Sequence, residues 1–307
     1  MLDVVFSPKL FVFYLFVASG VYIHFRGRVR HGFLRQLTDH STVMGPINML
    51  VYAFSKTPNT PYLPLNSHEE LRVFRDNWEK IAEEARKMYE FGHVRDSASS
   101  RDDAAFNSFF KTGWKRFYLK WYGEPLASAR ELCPTTVDLI EQVPSINAAM
   151  FTLLPPGAKL PQHRDPFAGS LRYHLGLMTP NDDACYISVD GQHYSWRDGE
   201  DVLFDETYIH YAKNETDQTR LIFFADVARP MRGPVSAWFN RSVGRALGKL
   251  TESPNTEADR TGGLNKIFRY VYKFREFAKA FKARNKPAYT LTKYSLFALL
   301  IYAIFFT

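Results

Sequence analysis

The stretch Q-H-R-D-P-F-A-G-S-L-R-Y-H-L-G-L, from Gln162 to Leu177, places a histidine and an aspartate two positions apart. On a β-strand, side chains at positions i and i+2 point to the same face, so His163 and Asp165 are expected to lie side by side. Such a pair supplies two ligands of a 2-His-1-carboxylate facial triad, which binds Fe(II) and leaves other coordination positions open. His210, in D-E-T-Y-I-H-Y-A, is the candidate for the missing histidine.

Arg220 opens the apolar run R-L-I-F-F-A-D-V, which is predicted to be a strand. A guanidinium that enters a hydrophobic core needs an anionic partner. Asp226 lies six positions along the same strand, which is too far for a direct pair. The sequence therefore predicts that Arg220 binds the distal carboxylate of a dicarboxylate cosubstrate.

The region from Asn147 to Val227 consists of short apolar runs separated by turn residues, such as C-Y-I-S-V followed by D-G. Many short strands at this spacing are typical of a jelly roll or barrel. We expect a mainly β fold, with a double-stranded β-helix (jelly-roll or cupin-like) core, flanking helices and a hydrophobic membrane segment at each end.

The segments H-R-D…S-L-R-Y-H-L-G-L, D-E-T-Y-I-H and T-R-L-I-F-F-A-D-V resemble the aspartyl/asparaginyl β-hydroxylase family of Fe(II)/2-oxoglutarate dioxygenases. The resemblance is specific from about Trp114 to Pro230, and the general layout is similar to that of the bacterial lipid A acyl-chain 2-hydroxylases. It implies Fe(II) as cofactor, with 2-oxoglutarate and O2 as cosubstrates. The protein hydroxylases of mammals lack the metal carboxylate, so Asp165 favours the lipid-modifying branch.

The resemblance also implies that Arg172, His174 and Thr152 contact 2-oxoglutarate. Each has a plainer alternative. Arg172 and His174 share a strand face by the i, i+2 rule, where Arg172 could instead pair across strands with an acid such as Asp205. Thr152 needs no special role, since threonine is common in strands.

Composition limits the class of protein. The chain has 307 residues, a net charge of +7, 26 Phe, 17 Tyr and only two cysteines, Cys133 and Cys185. A disulfide-stapled secreted fold is therefore excluded in favour of a reducing compartment. The basic residues lie beside apolar segments, so we expect no nucleic-acid partner, and no stable protein partner is predicted.

The N-terminal apolar run from Leu10 to Phe25 reaches a membrane-spanning length if it extends back to Val4. A cleaved signal peptide is the alternative, but the positive charge follows the run instead of preceding it. By the positive-inside rule, the following arginines place the rest of the chain in the cytoplasm. The resemblance to the lipid A hydroxylases implies the inner membrane of a Gram-negative bacterium. These arginines are Arg26, Arg28, Arg30 and Arg35.

The segment from Lys266 to Lys286 has eight basic residues against the single acid Glu276, together with an aromatic helical face. It predicts a helix that binds a membrane surface, with packing on its own domain as the alternative. Tyr294 to Phe306 is apolar again, as a tail anchor, a re-entrant hairpin or a second crossing would be.

Between these ends, Ser67 begins S-H-E-E, a capping box that predicts one amphipathic helix through Met88. The expected domain plan is an N-terminal anchor, a connector with this helix, the dioxygenase core, a loop with the basic helix, and a C-terminal hydrophobic segment. The corresponding ranges are 1–36, 37–110, 111–232, 233–290 and 291–307.

These features predict a dioxygenase that hydroxylates a membrane lipid acyl chain, most simply the 2-position of a fatty acyl chain of lipid A. Two alternatives remain open at this stage. A peptidyl aspartyl/asparaginyl β-hydroxylase would share the fold and cosubstrate but would not need the hydrophobic ends. A cupin-like membrane protein without turnover would not need Arg172, His174 and Arg220 together.

Overall fold

The computed structural model describes residues 8–37, 39–92, 106, 109, 112–256 and 259–306. The first seven residues of the predicted N-terminal anchor and residues 93–105 of the predicted connector lie outside this part of the chain.

Four helices and a short strand precede the core. They are α1 (Pro8–Phe25), α2 (Phe33–Leu37), α3 (His40–Val43), α4 (Gly45–Phe54) and β1 (Tyr62–Leu63). Two 3-10 turns (Leu65–Ser67 and Glu69–Leu71) then lead into α5 (Arg72–Asp76) and α6 (Trp78–Glu90).

The core elements follow in the order β2 (Lys115–Trp121), α7 (Ala127–Leu132), α8 (Pro134–Glu141), β3 (Ile146–Leu154), β4 (Lys159–His163), β5 (Ser170–Met178), β6 (Cys185–Val189), β7 (Gln192–Ser195), β8 (Asp201–Phe204), β9 (His210–Asn214) and β10 (Arg220–Ala228). Three long helices end the described chain: α9 (Pro234–Thr251), α10 (Gly263–Arg284) and α11 (Lys286–Phe306).

The strands form two antiparallel sheets, which confirms the predicted β core. The larger sheet has the order β1-β8-β5-β10-β3-β2, and the smaller has the order β4-β9-β6-β7. β5 and β10 lie in the middle of the larger sheet and are buried along almost their whole length. The flanks are helical.

Alternate side chains on the central strands point to opposite faces of the larger sheet, with aromatic residues on one face and polar residues on the other. Tyr173 and Phe223 point away from the smaller sheet and pack on Phe74 of α5, with ring centroids 6.0 and 5.0 Å away. Their neighbours in sequence point to the other face, where Arg172 on β5 lies opposite Asp226 on β10. The helices therefore cover one face of the sheet, and the polar residues collect on the face that the two sheets share.

The predicted capping box at Ser67 is wrong. The Ser67 hydroxyl ends a 3-10 turn by donating to the carbonyl of Pro64 at 2.6 Å. The amphipathic helix is also divided, because Asn77 leaves helical geometry and its side-chain amide donates back to the carbonyl of Val73 at 3.0 Å.

The predicted membrane segments find no support in the described residues, where no helix combines the length and the apolar character needed to cross a membrane. The predicted basic flank also changes. Arg26 does not join a surface cluster, because its buried guanidinium pairs with Asp205 at 2.5 Å. Arg28, Arg30 and Arg35 are exposed.

Candidate metal centre

Two histidines face each other where strands of the smaller sheet begin and end. His163 is the last residue of β4, His210 is the first of β9, and the two are partners in the antiparallel register. Their ring centroids lie 4.2 Å apart. Strand pairing alone thus brings together two residues that are 47 positions apart in the chain.

Backbone carbonyls orient both imidazoles. Nδ1 of His163 lies 2.7 Å from the carbonyl oxygen of Pro161, and Nδ1 of His210 lies 3.0 Å from that of Tyr208. A carbonyl oxygen can only accept, so each Nδ1 carries the hydrogen and each Nε2 keeps a free lone pair. Contacts of this kind from a carbonyl to the second ring nitrogen fix the orientation of metal-binding histidines.

Asp165 completes the cluster from a loop. The prediction that it shares a strand with His163 is wrong, since β4 ends at His163. Its backbone N–H donates to the carbonyl of Glu206 at 3.0 Å, which holds the loop against the chain just before β9. Oδ1 of Asp165 lies 3.7 Å from Nε2 of His163. One donor atom from each of His163, Asp165 and His210 lies within 4.8 Å of the other two.

The charges of the cluster suit a divalent cation. Burial, reinforced by the neighbouring His210, lowers the pKa of His163 to about 3, and burial lowers the pKa of His210 as well. Burial alone would raise the pKa of Asp165, but the guanidinium of Arg172 outweighs it and holds that pKa below its usual range. Two neutral imidazoles and one carboxylate are therefore ready to bind at neutral pH, and they fit Fe(II).

Arg172 lies inside a ring of carboxylates. Its Nη2 donates to Asp165 at 2.7 Å and also contacts Glu206, while its Nε donates to Asp226 at 2.8 Å. Asp205, the alternative partner considered from the sequence, pairs instead with Arg26 and Arg229. The predicted contact of Arg172 with 2-oxoglutarate stays a prediction, and what the structure shows is that Arg172 supports Asp165.

Sequence reasoning missed Glu206 and Asp226 as members of the site. Burial, with the nearby acids adding to it, raises the pKa of Glu206 well above its usual value, and burial also raises the pKa of Asp226. The only signal for Glu206 was its place in D-E-T-Y-I-H, next to a predicted ligand. The signal for Asp226 was an acid inside the apolar run of β10.

Replacing Arg172 by methionine is expected to destabilise the fold by about 3–5 kcal/mol, because it leaves buried carboxylates without their cation. Urea unfolding measures this change. The matched control is Arg75→Met, which removes a half-exposed pair with Asp201 and should cost less than about 1 kcal/mol. Similar losses in the two variants would contradict a central role for Arg172.

A second group of predicted residues lines a small inner cavity, which the metal cluster also lines. Arg220 is 2% exposed, and its Nη2 lies 3.4 Å from the hydroxyl of Thr152. Its guanidinium carbon lies 4.5 Å from the ring centre of Trp196, a residue that the sequence did not single out. The predicted partners Arg220, Thr152 and His174 therefore share one cavity with the metal cluster.

No carboxylate among the described residues pairs with Arg220, and its Nε has no hydrogen-bond partner there. Burial without a compensating anion lowers the pKa of Arg220 to about 10. His174 is buried beside it, and both of its ring nitrogens also lack partners among the described residues. Unsatisfied buried donors of this kind are expensive unless a ligand satisfies them.

A larger outer cavity of about 750 Å3 adjoins the inner cavity at the metal cluster. His163, Asp165 and Arg172 belong to both cavities, so the cluster stands at their junction. The outer walls come from α2, the turn before β5, and the facing ends of α9 and α10. The metal cluster therefore lies between a small inner cavity and the larger outer cavity.

Comparison with known proteins agrees with this geometry. Residues 75–230 match the family model described as aspartyl/asparaginyl beta-hydroxylase, which covers half of the chain. An ornithine lipid ester-linked acyl 2-hydroxylase of Rhizobium tropici is 36% identical over 177 residues, 57% of this chain and 60% of that protein. The human aspartate beta-hydroxylase domain-containing protein 2 is 27% identical over 217 residues, 66% of this chain and 57% of that protein.

The chain thus spans about 60% of the length of these relatives. Among solved structures, a prolyl-4-hydroxylase of Pseudomonas putida superposes with a TM-score of 0.34 at 15% identity, covering 61% of this chain and 99% of that one. A similarity this loose adds nothing to what the residues themselves show.

Proposed function

Because the chain belongs to the aspartyl/asparaginyl β-hydroxylase family, we propose that it is an Fe(II)/2-oxoglutarate-dependent dioxygenase that hydroxylates an acyl chain of a membrane lipid at its 2-position. The observation that carries the proposal is the buried Arg220, which has no carboxylate partner among the described residues and shares a cavity with the cluster of His163, Asp165 and His210. A dicarboxylate could chelate the metal ion with one end while its distal carboxylate binds Arg220.

Each group of site residues would have its own role. His163, Asp165 and His210 would hold Fe(II), which supplies the site where O2 is activated. Arg220 would bind the distal carboxylate of 2-oxoglutarate through a bidentate contact, next to the Thr152 hydroxyl. His174 would donate to the same cosubstrate from the adjoining strand. Trp196 and Phe224 pack around these groups and keep water out.

The overall reaction balances. One O2, one 2-oxoglutarate and one C–H bond give succinate, carbon dioxide and one C–OH group. One oxygen atom enters the succinate carboxylate, and the other enters the hydroxyl group. Arg220 lines the inner cavity and not the outer one, which leaves the outer cavity for the acyl substrate.

A lipid substrate is supported by the name of the Rhizobium relative and by the volume of the outer cavity. Lipid A is the substrate expected from the sequence, and the ester-linked acyl chain of an ornithine lipid is the one that the relative's name suggests. The shared chemistry is an acyl chain joined to a polar head group. We place the reaction at the cytoplasmic face of the inner membrane, where 2-oxoglutarate and ferrous iron are available.

Lipids from bacterial cells with and without the chain provide the test. We expect mass spectrometry to show one added oxygen atom on an acyl chain, in lipid A or in an ornithine lipid, only in cells that express the chain. A membrane-impermeant thiol label applied to intact cells should not react with a cysteine placed in the catalytic region. Hydroxylated aspartate or asparagine in cytoplasmic proteins, with unchanged lipids, would favour the peptidyl hydroxylase instead.

A further inference from the structure

We propose that two apolar rims around the mouth of the outer cavity form a membrane-docking surface, through which an acyl chain passes directly from an anionic bilayer to the metal cluster. This inference rests on the proposed function for its substrate. It goes beyond that function by naming the surface and the route. The first rim is α2 with α3, and the second is the end of α9 with the start of α10.

Residues that line the cavity alternate with exposed apolar residues on the first rim. Arg35 and His40 line the cavity. Phe33 is 71% exposed and Leu34 is 79% exposed, although both are large apolar side chains. Leu37 and Val43 continue this exposed set. A short helix that points several such side chains into water is unusual for a globular surface without a partner.

The second rim repeats this pattern on different elements. Leu247 and Thr251 of α9 line the cavity, and Leu250 between them is exposed. Leu264 of α10 lines the cavity and is itself partly exposed, and Ile267, one turn later, is 57% exposed. Apolar side chains therefore flank the opening from both sides, in two segments more than 200 positions apart in the chain.

The helices that carry the rims form a continuous layer. α1 packs against α2, α3 and α4, α4 packs against α9, α9 against α10, and α10 against α11. The opposite face of the larger sheet is covered separately, by α6 against β5. Residues of both rims line the outer cavity, so the two rims border the same opening.

Charge identifies the occupant as an anionic bilayer. Helices α1 to α4 and α9 to α11 contain a single acidic residue, Glu276, in their sequences. Exposed basic residues accompany the apolar rims on the same elements: Arg35, Arg241, Arg245, Lys249 and Lys266. Apolar side chains inserted among basic ones are the pattern of proteins that lie in the head-group region of anionic membranes. Docking of this kind needs no helix that crosses the bilayer.

The two native cysteines are buried, so single exposed cysteines can be labelled selectively. Leu34→Cys reports on the first rim and Ile267→Cys on the second. Phe91→Cys is the matched control, because Phe91 is 72% exposed and lies at the end of α6 on the other side of the sheet. Each full-length variant carries an environment-sensitive fluorophore and is mixed with vesicles of phosphatidylglycerol and phosphatidylethanolamine.

We expect both rim labels to report an apolar environment when these vesicles are added, and the label at position 91 to stay in water. Vesicles of phosphatidylcholine alone should give a much weaker response. The double variant Phe33→Ser/Leu34→Ser should bind the anionic vesicles at least about tenfold more weakly (about 1.4 kcal/mol), and Phe91→Ser should bind like the unchanged chain.

Rim labels that stay in water, or an equal response at position 91, would overturn the docking surface. So would a rim response that appears without vesicles and follows protein concentration, since a second copy of the chain would then cover the surface. Vesicle binding decides this inference without any activity measurement. Lipid hydroxylation decides the proposed function, so the failure of one can be told from the failure of the other.

Discussion

Replacing Arg220 by alanine is expected to raise the 2-oxoglutarate concentration for half-maximal succinate formation by about a hundredfold, which corresponds to roughly 2.7 kcal/mol. The physical reason is the environment of the guanidinium. It is buried, and among the described residues its Nε has no hydrogen-bond partner and no carboxylate pairs with it. If the distal carboxylate of the cosubstrate fills that gap, removing Arg220 removes the anchor but leaves the three metal ligands in place.

Arg220→Lys separates the effect of charge from that of geometry. Lysine keeps the positive charge but lacks the planar guanidinium that binds a carboxylate through two N–H groups. We expect its half-saturation concentration for 2-oxoglutarate to rise by about tenfold, with a smaller effect on the maximal rate. The matched control is Arg197→Lys, because Arg197 pairs with Asp183 near the surface. This variant should leave the half-saturation concentration and the maximal rate unchanged. An unaltered half-saturation concentration in Arg220→Lys would show that the cosubstrate anchor lies elsewhere.

Replacing His210 or His163 by alanine is expected to abolish the activity and to lower the affinity of the chain for Fe(II) by more than about a hundredfold. Changes in the partners that merely orient a metal ligand already cost about 10–100-fold, and these residues are ligands themselves. Nε2 of His163 lies 3.7 Å from Oδ1 of Asp165, and one ligand atom from each of His163, Asp165 and His210 lies within 4.8 Å of the other two. Calorimetric titration of Fe(II) under anaerobic conditions measures the affinity directly.

His193→Ala is the control for these variants, since His193 is an exposed histidine that stacks on Tyr186, away from the cluster. It should bind Fe(II) like the unchanged chain. Unreduced iron affinity or full activity in either ligand variant would remove that histidine from the site. Asp165→Ala should also be severely impaired, because it removes the only anion among the three proposed ligands.

The parts of the site that could be predicted from the sequence are those where one residue contradicts its surroundings. Arg220 is charged at the start of an apolar strand, and this mismatch alone pointed to a missing anion. His210 could be placed because a predicted all-β core brings strand ends together. In the structure the two histidines are direct partners across β4 and β9.

The parts that could not be predicted depend on pairing between strands. Arg172 has three carboxylate neighbours, and they come from the loop after β4, the turn before β9 and the second half of β10. No spacing along the chain links them. The sequence also did not predict that β4 ends at His163. The residue pattern that predicts a strand continues to Asp165.

Arg26 shows the same limit at the N-terminus. Its place among closely spaced arginines predicted a membrane flank, but it is bound by Asp205, which is 179 positions away. A buried ion pair between distant segments leaves no periodic signal in the sequence. The exposed charge that the layer of helices does carry lies mainly on α9 and α10 instead.

The most direct test of the central claim uses the purified full-length chain with Fe(II), 2-oxoglutarate, extracted bacterial membrane lipids and isotopically labelled O2. We expect one labelled oxygen atom in each succinate formed and one in each hydroxylated acyl chain, in equal amounts, and neither product from His210→Ala. Succinate without labelled lipid would contradict the lipid substrate. A hydroxylated lipid without label, or no succinate at all, would contradict a 2-oxoglutarate-dependent dioxygenase at this site.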